Sequence, residues 1–363
     1  MSVAVVGSGL AGFTAYQALR RGGLEPEEIA VFGTQEDPAG AWRRRAAAIR
    51  QREMRSESDG HCLASSFPGL AVRSALRRRS PAPLVASVCD RYHPTVDEFL
   101  AHVEELRERS GWDKSRHAGR IARVRAVDGG FELDARGVFR HVLVAPGHPG
   151  LNMPDELRGR AVHAYEPHEY ASTVTVVGAG LAAATEWLNA LDAGAEVVSV
   201  RRREPLRLPL NVPREYFSRR GLAGFHRLAP EERAARLHAL LAPSYPPGAA
   251  WDAPLAHAAA EGRFRVEASS NGSVQVICAT GFLRGFRHDP LLAALVDEHA
   301  LETADEWIVL GRDATVPALT DTTRTLALAG VPAQWAFPAA DTLAGARYVA
   351  HGFLRRVKAC RTR

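Results

Sequence analysis

Short apolar runs recur along the chain and break into glycine. Val3-Ala4-Val5-Val6 leads into Gly7-Ser8-Gly9-Leu10-Ala11-Gly12, and Val174-Thr175-Val176-Val177 leads into Gly178-Ala179-Gly180-Leu181-Ala182-Ala183. Runs of this length, bounded by turn residues, read as buried strands. Helix-like stretches follow, Phe13 to Arg21 and Ala184 to Leu191. A unit of strand, glycine turn and helix is therefore written twice. It predicts an α/β chain with two Rossmann-like dinucleotide-binding domains.

The chemistry follows from the glycines. The first of each turn permits the sharp strand-to-helix bend, and the second lets a diphosphate approach the backbone. The third position brings helix against strand, where Ala183 serves as well as Gly12. The helix start then offers free N–H groups and the positive end of its dipole to phosphate. Gly7, Ser8, Gly9, Leu10, Ala11 and Gly12 form the expected FAD cradle, and Gly178, Ala179, Gly180, Leu181 and Ala182 the expected NADPH cradle. Two dinucleotides on one chain are the layout of a flavoprotein reduced by a nicotinamide.

The next strand of each unit ends differently. Ile29-Ala30-Val31-Phe32-Gly33 closes on glycine, where an acidic residue usually holds the ribose hydroxyls. Glu36 and Asp37, in the following loop, are the acids left within reach. The second unit closes on Arg201-Arg202-Arg203. An acid there would repel a 2′-phosphate and arginine attracts it, so Arg201 and Arg202 predict NADPH over NADH.

The remaining pattern is organisational. Thr95 with Glu98 three residues on makes a capping box for a helix to about Arg109. Residues 120–147 read as a β-meander with strands Ile121–Val127, Phe131–Ala135 and Val138–Ala145, ending in Ala145-Pro146-Gly147. A later hairpin turns at Asn271-Gly272 and ends in Ala279-Thr280-Gly281. These paired endings suggest a second domain inserted in the first: 1–150 and 278–363 for FAD, 151–277 for NADPH. Residues 211–260 interrupt the latter with helical character at Pro230–Leu241, a Pro-rich piece and aromatic bulk. That insert has the size to cover a substrate cleft or to form a homodimer contact, and the sequence leaves both open.

Composition narrows the class. The 363 residues suit two domains, and no apolar run reaches a membrane span. The first strand begins at Val3, which argues against a signal peptide. Cys62, Cys89, Cys278 and Cys360 form no CxxC pair, so neither a metal site nor a redox dithiol is expected, and a reducing cytoplasm fits. The net charge of +5 is nearly all arginine, scattered along the chain, so nucleic acid is not the expected partner.

Several segments resemble class B flavin-dependent monooxygenases of the two-dinucleotide superfamily, and the resemblance spans the whole length. Asp37-Pro38-Ala39-Gly40-Ala41-Trp42-Arg43 is similar to that family's Gly-Gly-x-Trp element beside the flavin, implying FAD contacts at Gly40, Trp42 and Arg43. Gly159 with His163 four residues later resembles its fingerprint ahead of the nicotinamide domain, with Leu157 and Pro167 in place of aromatics. Ala279-Thr280-Gly281 matches the superfamily's crossing turn and implies NADPH contacts at Thr280 and Gly281. In such proteins the last helix points its N-terminus at the flavin pyrimidine, which implies Asp341 as N-cap and Thr342 and Leu343 as contacts. The resemblance implies a glutathione-reductase-like fold and an enzyme in which NADPH reduces FAD and one atom of O2 enters a small-molecule substrate at nitrogen, sulfur or a ketone. The family's asparagine in the stretch approaching the flavin is missing, leaving Arg55, Ser56 and His61 as the catalytic candidates. An NADPH-dependent flavin reductase without a redox disulfide, and a non-catalytic dinucleotide-binding protein, are the alternatives.

Overall fold

The computed structural model describes residues 2–54, 69–89, 92–208, 212–269 and 275–361. Its frame is a pair of five-stranded parallel sheets. The first begins with β1 (Val3–Val6), then α1 (Leu10–Arg21) and β2 (Ile29–Gly33), followed by α2 (Gly40–Ala48) and β3 (Arg116–Ala118). Strands His141–Val144 and Thr325–Leu328 complete it, in the spatial order 325–328, 141–144, β1, β2, β3. All four residues of β1 are buried, as a strand covered on both faces requires. Phe13, Tyr16 and Leu19 bury one face of α1, each worth about 1.5–3 kcal/mol of apolar burial.

The second sheet repeats the order. Thr173–Val177 lies between Glu196–Val200 and Gln275–Cys278, with Phe264–Glu267 and Val162–His163 at the edges. From its glycine strand each sheet runs outward in the same chain order except at one edge, where 325–328 comes last in the first sheet and 162–163 precedes the glycine strand in the second. The second sheet forms entirely from residues that fall between strands 141–144 and 325–328 of the first. The α/β fold with one dinucleotide unit inserted in the other is therefore as the sequence predicts.

Details depart from the sequence pattern. Both glycine helices start earlier than expected, at Leu10 and Leu181, because the turn glycines themselves are extended caps. The meander's third strand divides into Val138–Phe139 and His141–Val144; the first half pairs within the meander, and the second joins the parallel sheet. The expected insert at 211–260 also divides. Residues 212–241 share the apolar core of the first sheet, whereas Ala249–Ala260 is the crossover helix of the second βαβ unit, with Pro254 inside it. A proline-containing stretch signals a loop, but packing of Leu255 and Ala258 on the second sheet outweighs that preference. The Thr95–Glu98 capping box forms as expected and starts Val96–Ser110. The Asn271-Gly272 turn lies outside the described residues.

Candidate functional site

The two glycine turns are built alike. Gly7 (φ 120°) and Gly178 (φ 144°) sit in backbone that side chains avoid, and a Cβ on either would run into the carbonyl of Ala145 or Ala279. Those alanines open Ala145-Pro146-Gly147 and Ala279-Thr280-Gly281, so each first glycine is pressed against its own crossing turn. The amide of Gly7 donates to Phe32 at 2.7 Å and that of Gly178 to Val200 at 3.0 Å. Gly12 backs onto Gly7, where a Cβ would overlap its carbonyl. Gly9 is the opposite case: nothing lies within 4 Å of an added Cβ. Gly180 has only Pro243 at 3.9 Å. Each fingerprint thus has a tight first glycine that shapes the turn, joined in the first unit by Gly12, and an open glycine facing the cradle.

Neither glycine helix carries a side-chain cap. The helices starting at Val96 and Pro290 do, through Thr95 and Asp289. The first-turn N–H groups at Leu10 and Leu181 are therefore left for a ligand, at the positive end of the helix dipole. This is the arrangement that binds phosphate, and open glycine with uncapped helix fits a dinucleotide diphosphate at both places.

Beyond the second strand the cradles differ. Gly33 has a physical reason: a Cβ there would meet the Cβ and backbone nitrogen of Ser8 at 2.6 Å. Ser8 is buried, donates to the Gln35 carbonyl at 2.8 Å and accepts from its amide at 2.9 Å. The first fingerprint's serine thus occupies the space in which a ribose-binding acid would start. Asp37 is engaged locally, accepting from Ala39 N–H at 2.8 Å and pairing with Arg43 at 2.9 Å. Glu36, the other acid of this loop, is exposed. Trp42 is half-buried, edge-on to Phe99 at 5.0 Å. In the second unit Arg201 packs over Trp187 and pairs with Glu204 at 3.0 Å, while the Arg202 side chain is 88% exposed.

The segments just beyond the two crossing turns meet, with Leu151 opposite Phe282. Asn152 N–H donates to the Gly281 carbonyl at 2.9 Å and Leu283 N–H to Gly150 at 3.0 Å. The Thr280 hydroxyl donates to the Asn152 carbonyl, which commits its side chain to this ribbon and leaves only backbone for a cofactor. Rings stack across the junction: His148 on Phe282 at 3.9 Å, Tyr165 on Phe282 at 4.7 Å. The Arg45 guanidinium, on α2, stands 4.5 Å from the Phe282 centroid. Burial, aided by Arg45 and Arg284, lowers the His148 imidazole to about 3, so it stays neutral among the rings. His163 is fully buried, on the edge strand opposite Cys278. The end of α2 is also tied to the second unit: Asn189 donates to the Ile49 carbonyl at 2.8 Å, and Arg50 pairs with Glu169 at 2.9 Å.

At the last helix the expected cap moves by one residue. The Thr342 hydroxyl accepts from Gly345 N–H at 3.1 Å, which makes Thr342 the N-cap of Leu343–Arg361. Its own N–H is held by the Ala339 carbonyl at 3.0 Å. Of the predicted pair, Leu343 is the one whose N–H helix geometry leaves without an internal acceptor. Asp341 reaches solvent but stands deep in the crevice, where desolvation raises its carboxyl against the pull of Arg284 and a hydrogen bond from Gln334. Arg55, Ser56 and His61 lie outside the described residues.

Sequence reasoning missed His148, Arg45, Phe282, Arg284 and Gln334. Phe282 and His148 each directly follow a crossing turn, and that position was the available signal. The insert's 212–241 segment roofs this end of the first sheet: His226 Nε2 is 2.6 Å from the Ala336 carbonyl and Arg233 lies over Trp335. Among the described residues no helix is long and apolar enough to cross a membrane, and no group of three or more His, Cys, Asp or Glu is placed to hold a metal.

A scan against protein-family models gives no match, and a search of curated proteins gives none. Solved structures do match. The ornithine hydroxylase PvdA from Pseudomonas aeruginosa aligns at a TM-score of 0.70 with 16% identity, covering 98% of this chain and 99% of its own. The Kutzneria sp. 744 ornithine N-hydroxylase KtzI, solved with FADred, NADP+ and L-orn, aligns at 0.66 with 16% identity over 98% and 99%. The bacillithiol disulfide reductase Bdr (YpdA) from Bacillus cereus aligns at 0.60 with 13% identity over 100% and 99%. Over its full length the chain shares one two-domain fold with hydroxylases and with a reductase, and fold alone does not choose between their chemistries.

Proposed function

We propose that the protein is an FAD-dependent, NADPH-consuming monooxygenase that places one atom of O2 into a small-molecule substrate at nitrogen, sulfur or a ketone. The observation that carries this reading is the junction of the two cradles. Each first fingerprint glycine abuts a crossing turn, and the segments that follow the two turns, 150–152 and 281–283, pair with one another. Cofactors held at the two helix starts would extend along these turns towards the same crevice. The hydroxylase neighbours favour oxygen transfer over plain electron transfer, KtzI having been solved with FADred and NADP+.

FAD would lie with its diphosphate over Gly9 and the N–H groups at Leu10 and Ala11, its ribose towards Glu36, and its ring beside Gly40, Trp42 and Leu343. NADPH would lie over Gly180 and Leu181, with Arg202 and Arg201 near the 2′-phosphate. The flavin supplies the redox and oxygen chemistry when bound. The chain's residues orient and exclude. Leu343 N–H and the dipole of the last helix favour negative charge at the ring's pyrimidine end. The 212–241 roof and the His148–Phe282–Tyr165 stack keep water from the crevice. A neutral His148 adds no cation there. This reading places the reaction in a reducing cytoplasm.

The test is isotopic. FAD-loaded protein with NADPH, heavy-isotope O2 and a panel of amines, thioethers and ketones should yield a product carrying one labelled oxygen. NADPH oxidation with label only in peroxide or water, whatever is added, would favour a reductase instead.

A further inference from the structure

The helix Leu181–Asp192, which starts at the second fingerprint, carries Glu186 in its second turn. The Glu186 side chain is wholly buried and that of His168 is 3% exposed. Glu186 Oε2 lies 2.9 Å from His168 Nε2 and accepts from the Tyr170 hydroxyl at 2.8 Å. Glu186 Oε1 is buried with no partner among the described residues. The other ring nitrogen of His168, Nδ1, stands 2.7 Å from the Glu166 carbonyl. Both ring nitrogens therefore face acceptors. A neutral imidazole has one N–H and cannot serve both. The contacts are satisfied when the His168–Glu186 pair holds one proton beyond the ring's own, on the imidazole or on the carboxyl.

This pair sits where the two units are tied. Arg50, just beyond α2, lays its guanidinium 4.5 Å from the Tyr170 ring centroid and pairs with Glu169 at 2.9 Å. Asn189, one turn along from Glu186, donates to the Ile49 carbonyl at 2.8 Å and also hydrogen-bonds to Tyr170. Ile49 is packed in the apolar core of the second sheet. The end of α2 is thus seated against residues that Glu186 holds. Burial opposes a charged His168, and so does Arg50. The hydrogen bonds to Glu186 and the Glu166 carbonyl, with the charge of Glu186, outweigh both and hold the imidazole above its ordinary 6.5. The strand Gln275–Cys278 adds the uncharged Gln275, bound to the Glu169 carbonyl.

We propose that His168 and Glu186 form a proton-dependent latch between the two units. With the extra proton bound, the pair holds Tyr170 in place to seat the end of α2; without it, the end of α2 comes away from the second unit. His168 and Glu186 are positioning residues, acting through Tyr170 and α2. Loss of the proton leaves a buried carboxylate against an imidazole lone pair, the costly state of a broken buried pair. A raised folded value fixes the sign: the stabilisation is whole below pH 6.5 and is lost as pH rises through the folded value above it. The latch is closed in mild acid and opens in alkali. Its consequence for turnover rests on the proposed function. Since α2 carries the Trp42 assigned to the flavin, reduction by NADPH should slow as the latch opens.

The experiment is backbone hydrogen exchange at residues 45–50 of cofactor-free protein, corrected for intrinsic rates and referred to α1. Between pH 6 and pH 9, protection there should fall about tenfold in wild type. In Glu186→Gln the amide can donate to a neutral His168 and its oxygen can accept from Tyr170, so protection should stay level across that span. Tyr170→Phe removes one contact and keeps the proton, so protection should be lower throughout with the same step. Level protection in wild type, or a wild-type step in Glu186→Gln, overturns the proposal. A Tyr170→Phe protein without the step would put the titration on the phenol and overturn it too. The wild-type profile needs no variant, so the proposal can fail even if Glu186→Gln does not fold. With FAD loaded, reduction by saturating NADPH should follow the same step in wild type and be level in Glu186→Gln. A level rate in wild type beside a step in exchange would refute the consequence for turnover. No reduction at any pH, with the exchange step present, would fall on the proposed function alone.

Discussion

The first and second cradles share a backbone and differ in what stands just outside it. In both, a left-handed first glycine is wedged against an alanine carbonyl and an open second glycine faces the helix start. In the first, Ser8 fills the space beyond β2 and obliges residue 33 to be glycine. In the second, the equivalent strand runs into Arg201 and an exposed Arg202. On the proposed function, diphosphate recognition is backbone geometry, kept twice, and nucleotide identity is a side-chain matter settled separately in each unit.

The sharpest test of that division sets a tight glycine against an open one. Gly7→Ala forces a Cβ onto the Ala145 carbonyl at φ 120° and should cost about 3 kcal/mol or more of stability, read by denaturant titration. Gly9→Ala meets nothing in the protein. Its melting temperature without cofactor should match wild type while FAD affinity falls about a hundredfold, a loss of roughly 2.7 kcal/mol of binding. If both variants behave alike, the distinction between shaping and binding glycines is wrong.

The differences can be attacked next. Gly33→Asp should destabilise by about 2 kcal/mol, and Ser8→Gly in the same chain should recover about half of it, because the two side chains compete for one space. Additive effects in that double-mutant cycle would remove the explanation offered for Gly33. Arg202→Ala should cut the preference for NADPH over NADH about tenfold with little effect on stability, the loss of one exposed charge-assisted contact. Unchanged coenzyme preference would transfer the role to Arg201 or Arg203.

The last test concerns the junction and shows only in acid. His148 has a folded value of about 3 against an ordinary 6.5. Below pH 6.5 the unfolded chain takes up a proton that the folded chain refuses. Stability from this group is thus whole above pH 6.5 and declines as pH falls towards 3. His148→Phe keeps the stack and should flatten that part of the denaturation-midpoint profile. An identical acid slope in both proteins would mean that His148 is not shielded by the rings.

Much of this was readable in the sequence because it depends on local backbone. Glycine turns, the Thr95 capping box and the strand–helix alternation are short-range signals, and the α/β frame with its inserted unit followed from them. What could not be read depends on residues far apart in the chain, or on turns that residue preference does not encode. Gly33 is explained only by Ser8 folding back over it. The cap of the last helix is Thr342 rather than Asp341 because the preceding turn hands the Thr342 amide to the Ala339 carbonyl, and capping preference alone carries no sign of that turn. The insert looked like one piece, but its halves pack on different sheets. Phe282, His148 and Arg45 come together from three segments, and periodicity carries no trace of that meeting.

The account's central claim is that one cradle holds an electron donor and the other the flavin it reduces. Anaerobic mixing with NADPH, following the visible flavin band, tests it in wild type, Gly9→Ala and Gly180→Ala. Wild type should bleach, Gly9→Ala should carry little FAD to bleach, and Gly180→Ala should hold FAD but stay yellow at NADPH concentrations that bleach wild type. Bleaching at the wild-type rate in both variants, or none in wild type saturated with FAD, would contradict it.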